Sequence, residues 1–248
     1  MADWNDTQRR QSFGSVPRAG DAVSRGVTFD EGLRKHMLSI YNYMASGVLL
    51  TGIVAMLTAR SGLVNTLMQG PLFWLVALAP LGFVFAMSFG ANKFSRSTLQ
   101  FMFWAFAVTM GLSLSSIFVV YTGESIATTF FATAGAFAGL SLFGYTTKKD
   151  LSGFGTFLIM GVIGLIIASI INIFVGSSTL TLAISFLGVL IFAGLTAYDT
   201  QRLKREYQML RGTEFAGKAI ILGALSLYLD FINMFLFLLR FIGVARGE

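Results

Sequence analysis

The sequence predicts an all-α membrane protein with seven transmembrane helices. Hydrophobic residues make up 55% of its 248 positions, charged residues make up only 12%, and the mean hydropathy is +0.72. A soluble domain carries about 25% charged residues, so the bilayer is the solvent that this composition fits. Long windows without any charge recur along the chain, and a helix needs ~20 apolar residues to cross the hydrocarbon.

These windows define the seven spans. Residues 151–198 carry no charge and are long enough for two spans, which Gly176-Ser177-Ser178 divides. Pro80 lies inside the second span, where a proline is expected to bend the helix. The predicted spans are residues 37–59, 71–92, 98–121, 125–145, 154–175, 179–200 and 217–241.

The distribution of basic residues predicts the orientation of the spans. Of the 18 Lys and Arg residues, 15 fall on the side of the N-terminus and 3 on the other side. This places the N-terminus in the cytoplasm and the C-terminus on the outer side of the membrane. Residues 1–35 are then expected to be a flexible cytoplasmic tail and residues 36–248 the transmembrane domain. The net charge of +6 follows from this topology and does not indicate nucleic-acid binding.

Two glycines of the fourth span, Gly135 and Gly139, lie one helical turn apart. This spacing is typical of a helix face that packs closely against a neighbour. In a chain with 27 glycines, their abundance explains the pattern equally well.

Two acidic residues stand out against the apolar spans. Asp230 has no charged neighbour from 219 to 239 and falls near the middle of the seventh span, while Asp199 closes the sixth. A carboxylate at the centre of a bilayer helix costs about 2.5–3.5 kcal/mol on insertion scales, so such a residue normally faces inward and has a partner. The alternatives are a structural acid at Asp230 and, at Asp199, a solvated helix-end pair with Arg202.

The spacing of these acids suggests that they form a pair. If the hairpin turns near Gly212-Thr213, Asp199 lies about 14 residues before the turn and Asp230 about 17 after it, so their depths differ by roughly 5 Å. Two carboxylates in a low-dielectric site resist being ionised together and would share a proton. A calcium ion, which prefers oxygen ligands, would compete with that proton for the same two residues.

Three polar residues are candidates for supporting this pair. Ser226 and Asn233 lie four positions before and three after Asp230, so they share its helix face, either as its hydrogen-bond partners or as the lining of the same polar path. Asn172 of the fifth span is a further candidate partner, with interhelical packing as its alternative role.

Several segments resemble the Bax inhibitor family of transmembrane proteins. They are Ala-Tyr-Asp-Thr-Gln-Arg-Leu-Lys at 197–204, Leu-Ser-Leu-Tyr-Leu-Asp-Phe-Ile-Asn-Met-Phe at 225–235, Thr-Lys-Lys-Asp-Leu-Ser at 147–152 and Asn-Ile-Phe at 172–174. The resemblance implies a seven-helix bundle with the last helix at its centre. It also implies a pH-sensitive calcium leak whose sensor aspartates match Asp199 and Asp230. In the family a basic residue near the cytoplasmic end of the second span, called the latch, pairs with the sixth-span aspartate. In this sequence Lys93 or Arg96 would have to take that role.

The leading hypothesis is therefore a pH-regulated, calcium-permeable leak channel of the inner membrane, gated by the two aspartates. The alternative is a membrane scaffold that regulates a membrane protease or assembly partner without transport. No cofactor is expected beyond calcium, because cysteine is absent, His36 is the single histidine and no lysine lies mid-membrane to bind retinal. An enzyme is not expected either, because only Tyr198-Asp199 matches the pattern of an intramembrane aspartyl protease.

Overall fold

The computed structural model describes the backbone of residues 19–246 and the side chains of residues 31–246. Within those residues the chain forms nine helices and no strand. They are α1 (Ala19–Arg60), α2 (Leu63–Leu67), α3 (Gly70–Gly90), α4 (Arg96–Leu114), α5 (Ile117–Val120), α6 (Gly123–Thr146), α7 (Ser152–Val175), α8 (Ser178–Leu210) and α9 (Ala216–Ile242). By length and composition, 7 helical segments are able to cross a membrane, with α4 and α5 counted as one. The predicted all-α membrane fold is confirmed.

The first helix begins earlier than the span predicted from residue 37. Residues 1–18 of the predicted tail lie outside the described residues, whereas 19–35 form the first turns of α1. The charged side chains of Arg34 and Lys35 point outward, while Leu33 and His36 are buried in the bundle. A charge-free window ends at the first charge, but an amphipathic helix continues through it.

Helix ends follow local sequence signals. Ser95, Thr122 and Ser177 each precede a helix, and their side-chain oxygens accept a hydrogen bond from the backbone N–H three residues later. Gly176 follows α7 with φ +65° and Gly212 follows α8 with φ +79°, a backbone region that favours glycine. The turn predicted near Gly212 is therefore present, and α8 continues three turns beyond the apolar part of its span.

The last helix lies at the centre of the bundle, as predicted. α9 packs against α8, α1, α6, α4 and α3, whereas α7 packs mainly on α8 and is largely exposed. A buried hydrogen-bond chain joins three of these helices. The Tyr228 hydroxyl of α9 donates to Thr51 of α1 (2.7 Å), and Thr51 donates to the Ala107 carbonyl of α4 (2.8 Å).

Close approach of α6 and α8 depends on Gly144. A Cβ at Gly144 would lie 2.2 Å from the backbone oxygen of Ala197, so only glycine allows this contact. Gly135 and Gly139 are exposed, and a Cβ at either would meet no atom within 4 Å. The close-packing face suggested at Gly135 and Gly139 was therefore wrong, because that side of α6 faces away from its neighbours.

The loop between α6 and α7 is fastened to α8. The Gln201 amide accepts a hydrogen bond from Leu151 N (2.9 Å) and donates one to Lys149 O (2.7 Å). Arg205 binds the carboxylate of Asp150 (2.8 Å). These contacts hold the loop at the end of α8 that carries the acidic residues described next.

Candidate functional site

The candidate site lies in the hairpin of α8 and α9. Three side-chain contacts fix its antiparallel register, and they join Asp199 with Ser226, Leu203 with Gly223 and Gly188 with Phe237. In each contact the two residues lie at nearly equal distances from the turn at Gly212. This register places Asp230 about one helical turn deeper in the bundle than Asp199, which agrees with the spacing predicted from the sequence.

Asp199 is buried and ion-paired. Its side chain is 7% exposed, and Arg202 holds both of its oxygens, with Nη1 3.1 Å from Oδ1 and Nη2 3.2 Å from Oδ2. The Ser226 hydroxyl of α9 donates to Oδ2, and Arg202 Nη2 donates to Ser226 Oγ (3.0 Å). The pair with Arg202 considered from the sequence exists, but its carboxylate is not solvated.

Arg202 also faces a second acid. Its Nε lies 3.3 Å from Glu206 Oε1, a contact whose alignment does not make a hydrogen bond. Asp199, Arg202 and Glu206 lie three and four positions apart, so they share one face of α8. Glu206 was not among the residues predicted from the sequence, although this spacing was the signal that could have found it.

Asp230 is also buried, at 5% exposure, and it differs from Asp199 in its partners. Its Oδ2 has no hydrogen-bond partner among the described residues. Asp230 follows Ser226 by one turn of α9, and Ser226 bonds to Asp199 and Arg202, so the two acids lie on the same side of the α8–α9 hairpin. Its chain neighbour Phe231 packs against Phe130 and Phe137 of α6 at 5.5 Å and 5.6 Å between ring centres, which keeps water from that side.

Of the three candidate supporting residues, only Ser226 contacts a member of the acidic pair. Ser226 binds Asp199 and Arg202 instead of Asp230. Asn233 donates to Leu229 O of its own helix (2.8 Å). Asn172 lies in the last turn of α7, where it bonds Thr181 Oγ1 (2.7 Å), and it therefore joins α7 to α8.

Two cavities lie beside the site, both against α3. The first, of about 400 Å³, is lined by Arg202, Glu206 and Ser226 together with apolar residues of α3 and α9. The second, of about 430 Å³, lies between α3, α4 and α9 and includes Asn233. Val84 of α3 and Leu229 of α9 line both cavities, so they lie between the two.

The whole described bundle matches one family. The family model described as "Inhibitor of apoptosis-promoting Bax1" matches residues 33–247. The chain belongs to the Bax inhibitor family. It is 46% identical over 219 residues to the inner membrane protein YbhL of Escherichia coli, covering 87% of this chain and 94% of that protein.

Other relatives cover the chain equally well. An uncharacterised protein of Caulobacter vibrioides is 50% identical over 231 residues, or 89% of this chain and 92% of the relative. An uncharacterised protein of Deinococcus radiodurans is 42% identical over 226 residues, or 91% and 96%. The resemblance inferred from the α8 and α9 motifs is therefore confirmed over nearly the full bundle.

The Bax inhibitor resemblance implied that Lys93 or Arg96 is the basic latch, the residue that forms an ion pair with Asp199. Here a different residue forms that ion pair. Among the described residues, Asp199 forms its ion pair with Arg202. Arg96 lies against Gly217, where a Cβ would be 2.9 Å from its Cδ, and Lys93 is exposed in the loop after α3. Arginine offers a planar fork that binds two carboxylate oxygens, which suits Arg202 to this position.

The site offers few ligands for a resident metal ion. Among the described residues no group of three or more His, Asp or Glu side chains is arranged to hold one. Calcium takes six to eight oxygen ligands, and both carboxylate oxygens of Asp199 are already bound by Arg202. The arrangement suits transient contact of a cation with the carboxylates better than a closed binding cage.

Proposed function

We propose that this protein is a pH-regulated, calcium-permeable leak of the inner membrane, with Asp199 and Asp230 as its proton-sensitive gate. The observation that carries the proposal is the buried pair of acids on α8 and α9, one held by Arg202 and the other with an unpartnered oxygen. Such a residue inside a membrane bundle is normally retained for a function. The family and the inner membrane relative in Escherichia coli agree with the proposed location.

Protonation would control the charge of this site. With a proton on Asp230, Arg202 faces the carboxylates of Asp199 and Glu206 and the α8–α9 contact is closed. Loss of that proton adds a further negative charge to a poorly hydrated site, where charges interact more strongly than in water. The added charge repels Asp199 and attracts a cation, so proton release would favour both opening and calcium entry.

In this proposal the route for the ion runs through the two cavities beside α3. The first cavity reaches Arg202 and Ser226 from the side of the α8–α9 turn, and the second continues along α9 toward the other end. Val84 and Leu229 between them form an apolar constriction, and such constrictions close a pore by excluding water. In this proposal the two acids determine the charge beside the route, and the constriction determines how easily an ion passes along it.

The test is calcium flux into proteoliposomes across a pH series. Wild type is compared with Asp199→Asn, Asp230→Asn and Asp150→Asn, the last being a matched change at an exposed loop acid. We expect Asp230→Asn to abolish most of the pH response and Asp150→Asn to leave it intact. Unchanged flux and pH response in both membrane variants would overturn the gate. Absence of flux from wild type, with co-purification of a membrane protease, would favour the scaffold role instead.

A further inference from the structure

A cleft between α1 and α6 opens the bundle toward the lipid. Both helices pack against α9, but they do not pack closely against each other. The cleft contains a cavity of about 510 Å³ near Arg34 and another of about 300 Å³ toward the opposite end of the bundle. A surface helix normally meets lipid with a convex face, whereas this cleft offers an elongated depression.

The lining of the larger cavity is mostly apolar and has its charged residue at one end. Leu38, Phe137 and Leu142 supply apolar walls. Tyr145 lines the same end as Arg34, and tyrosine is enriched where hydrocarbon meets the headgroups. The depression therefore fits a molecule with a long apolar part and a polar end.

The polar end of the cavity is positively charged. Arg34 lines it and, among the described side chains, forms no salt bridge, although Glu31 lies close enough to interact with it electrostatically. The neighbouring Lys35 is instead paired with Glu31 at 2.9 Å. Lys148 and Lys149 are exposed just beyond Tyr145, where α6 ends. These charges are complementary to an anion at the headgroup level, and basic pockets between membrane helices bind anionic headgroups.

We propose that the α1–α6 cleft binds an anionic phospholipid. Its phosphate lies at Arg34, near the two lysines that follow α6, and its acyl chains lie between α1 and α6 against Phe137. The lipid comes from the leaflet on the side of the bundle where the α6–α7 and α8–α9 loops lie. Because α1 and α6 both contact the central helix, the bound lipid fills the gap that they leave beside α9.

The charged half of the proposal is tested by lipid retention in native mass spectrometry. The full chain in detergent is offered phosphatidylglycerol or phosphatidylcholine. The variants are Arg34→Gln and Lys35→Gln, which remove the same charge at adjacent positions. We expect wild type and Lys35→Gln to prefer phosphatidylglycerol, and Arg34→Gln to retain about five-fold less of it, the effect of ~1 kcal/mol per basic residue. Equal retention by the two variants would overturn the assignment of the phosphate to Arg34.

The apolar half is tested by filling the cleft. Ala138 lines the cavity, whereas Ala136 is exposed on another face of the same helix. We expect Ala138→Trp to reduce retention of both lipids and Ala136→Trp to change neither. Equal retention by the two tryptophan variants, each verified as folded by size exclusion, would mean that the lipid binds elsewhere. Equal retention of the two lipids by wild type would contradict recognition of negative charge.

Discussion

Arg202 lies one turn from Asp199 on α8 and contacts both oxygens of its carboxylate, at 3.1 Å and 3.2 Å. The Ser226 hydroxyl of α9 bonds to the same carboxylate and to the same guanidinium. One side chain of α9 is thereby joined to an ion pair of α8. Asp230, about one turn deeper, has no comparable partner for its Oδ2.

The two aspartates should therefore affect stability differently. Asp199→Asn leaves Arg202 without its main counter-ion and should lower the free energy of unfolding by ~1–2 kcal/mol, a modest value because Arg202 is partly exposed. Asp230→Asn breaks no ion pair and replaces a buried acid whose Oδ2 has no partner among the described residues, so it should leave the stability unchanged or raise it. Thermal unfolding in detergent at neutral pH measures both. Equal destabilisation by the two variants would show that Asp230 has a stabilising partner.

Adding a single methyl group at Gly144 should weaken the contact between α6 and α8. The new Cβ would lie 2.2 Å from Ala197 O, and relieving this overlap should cost ~1–3 kcal/mol. Gly139→Ala is the matched control, because the space there is open and alanine favours a helix by up to ~1 kcal/mol. We expect a lower unfolding temperature for Gly144→Ala alone. A similar loss at Gly139 would place the helix contact on the other face of α6.

The constriction of Val84 and Leu229 should limit the proposed leak. Leu229→Ala widens and partly hydrates it, and lowering a barrier by ~1.4 kcal/mol raises a rate roughly ten-fold. Leu187→Ala, at an exposed position of α8, is the control for loss of a leucine. The measurement is calcium flux into proteoliposomes at one fixed pH. If both variants conduct like wild type, permeation does not pass between the two cavities.

The α6–α7 loop contains an acid outside the membrane whose titration can be followed. Hydrogen bonds from the Ser152 hydroxyl and amide, and then Arg205, hold the pKa of Asp150 below its ordinary value. Because the folded pKa is the lower one, the stabilisation is present above the unfolded value and is lost as the pH falls through the folded one. Ser152→Ala should raise the pKa of Asp150 toward its ordinary value, as measured by NMR titration. Ser39→Ala, a distant serine, should not change it.

The sequence by itself determined the number of spans and the depth of the acids. Charge-free windows count helices because an unpaired charge is costly in hydrocarbon. Gly212 fixed the turn because its φ of +79° favours glycine, and equal spacing from that turn set the register of Asp199 against Ser226. A position along a helix follows from the residue number alone, at about 1.5 Å per residue.

The tertiary structure decided which way each helix face points. In the folded protein Ser226 bonds to Asp199 and not to Asp230, and Asn172 joins α7 to α8. The close helix contact of α6 is made at Gly144 and not at Gly139. Rotation of a helix about its axis depends on side-chain packing against all of its neighbours at once. An apolar span has hydrophobic residues on every side, so its sequence does not show which face meets lipid and which meets protein.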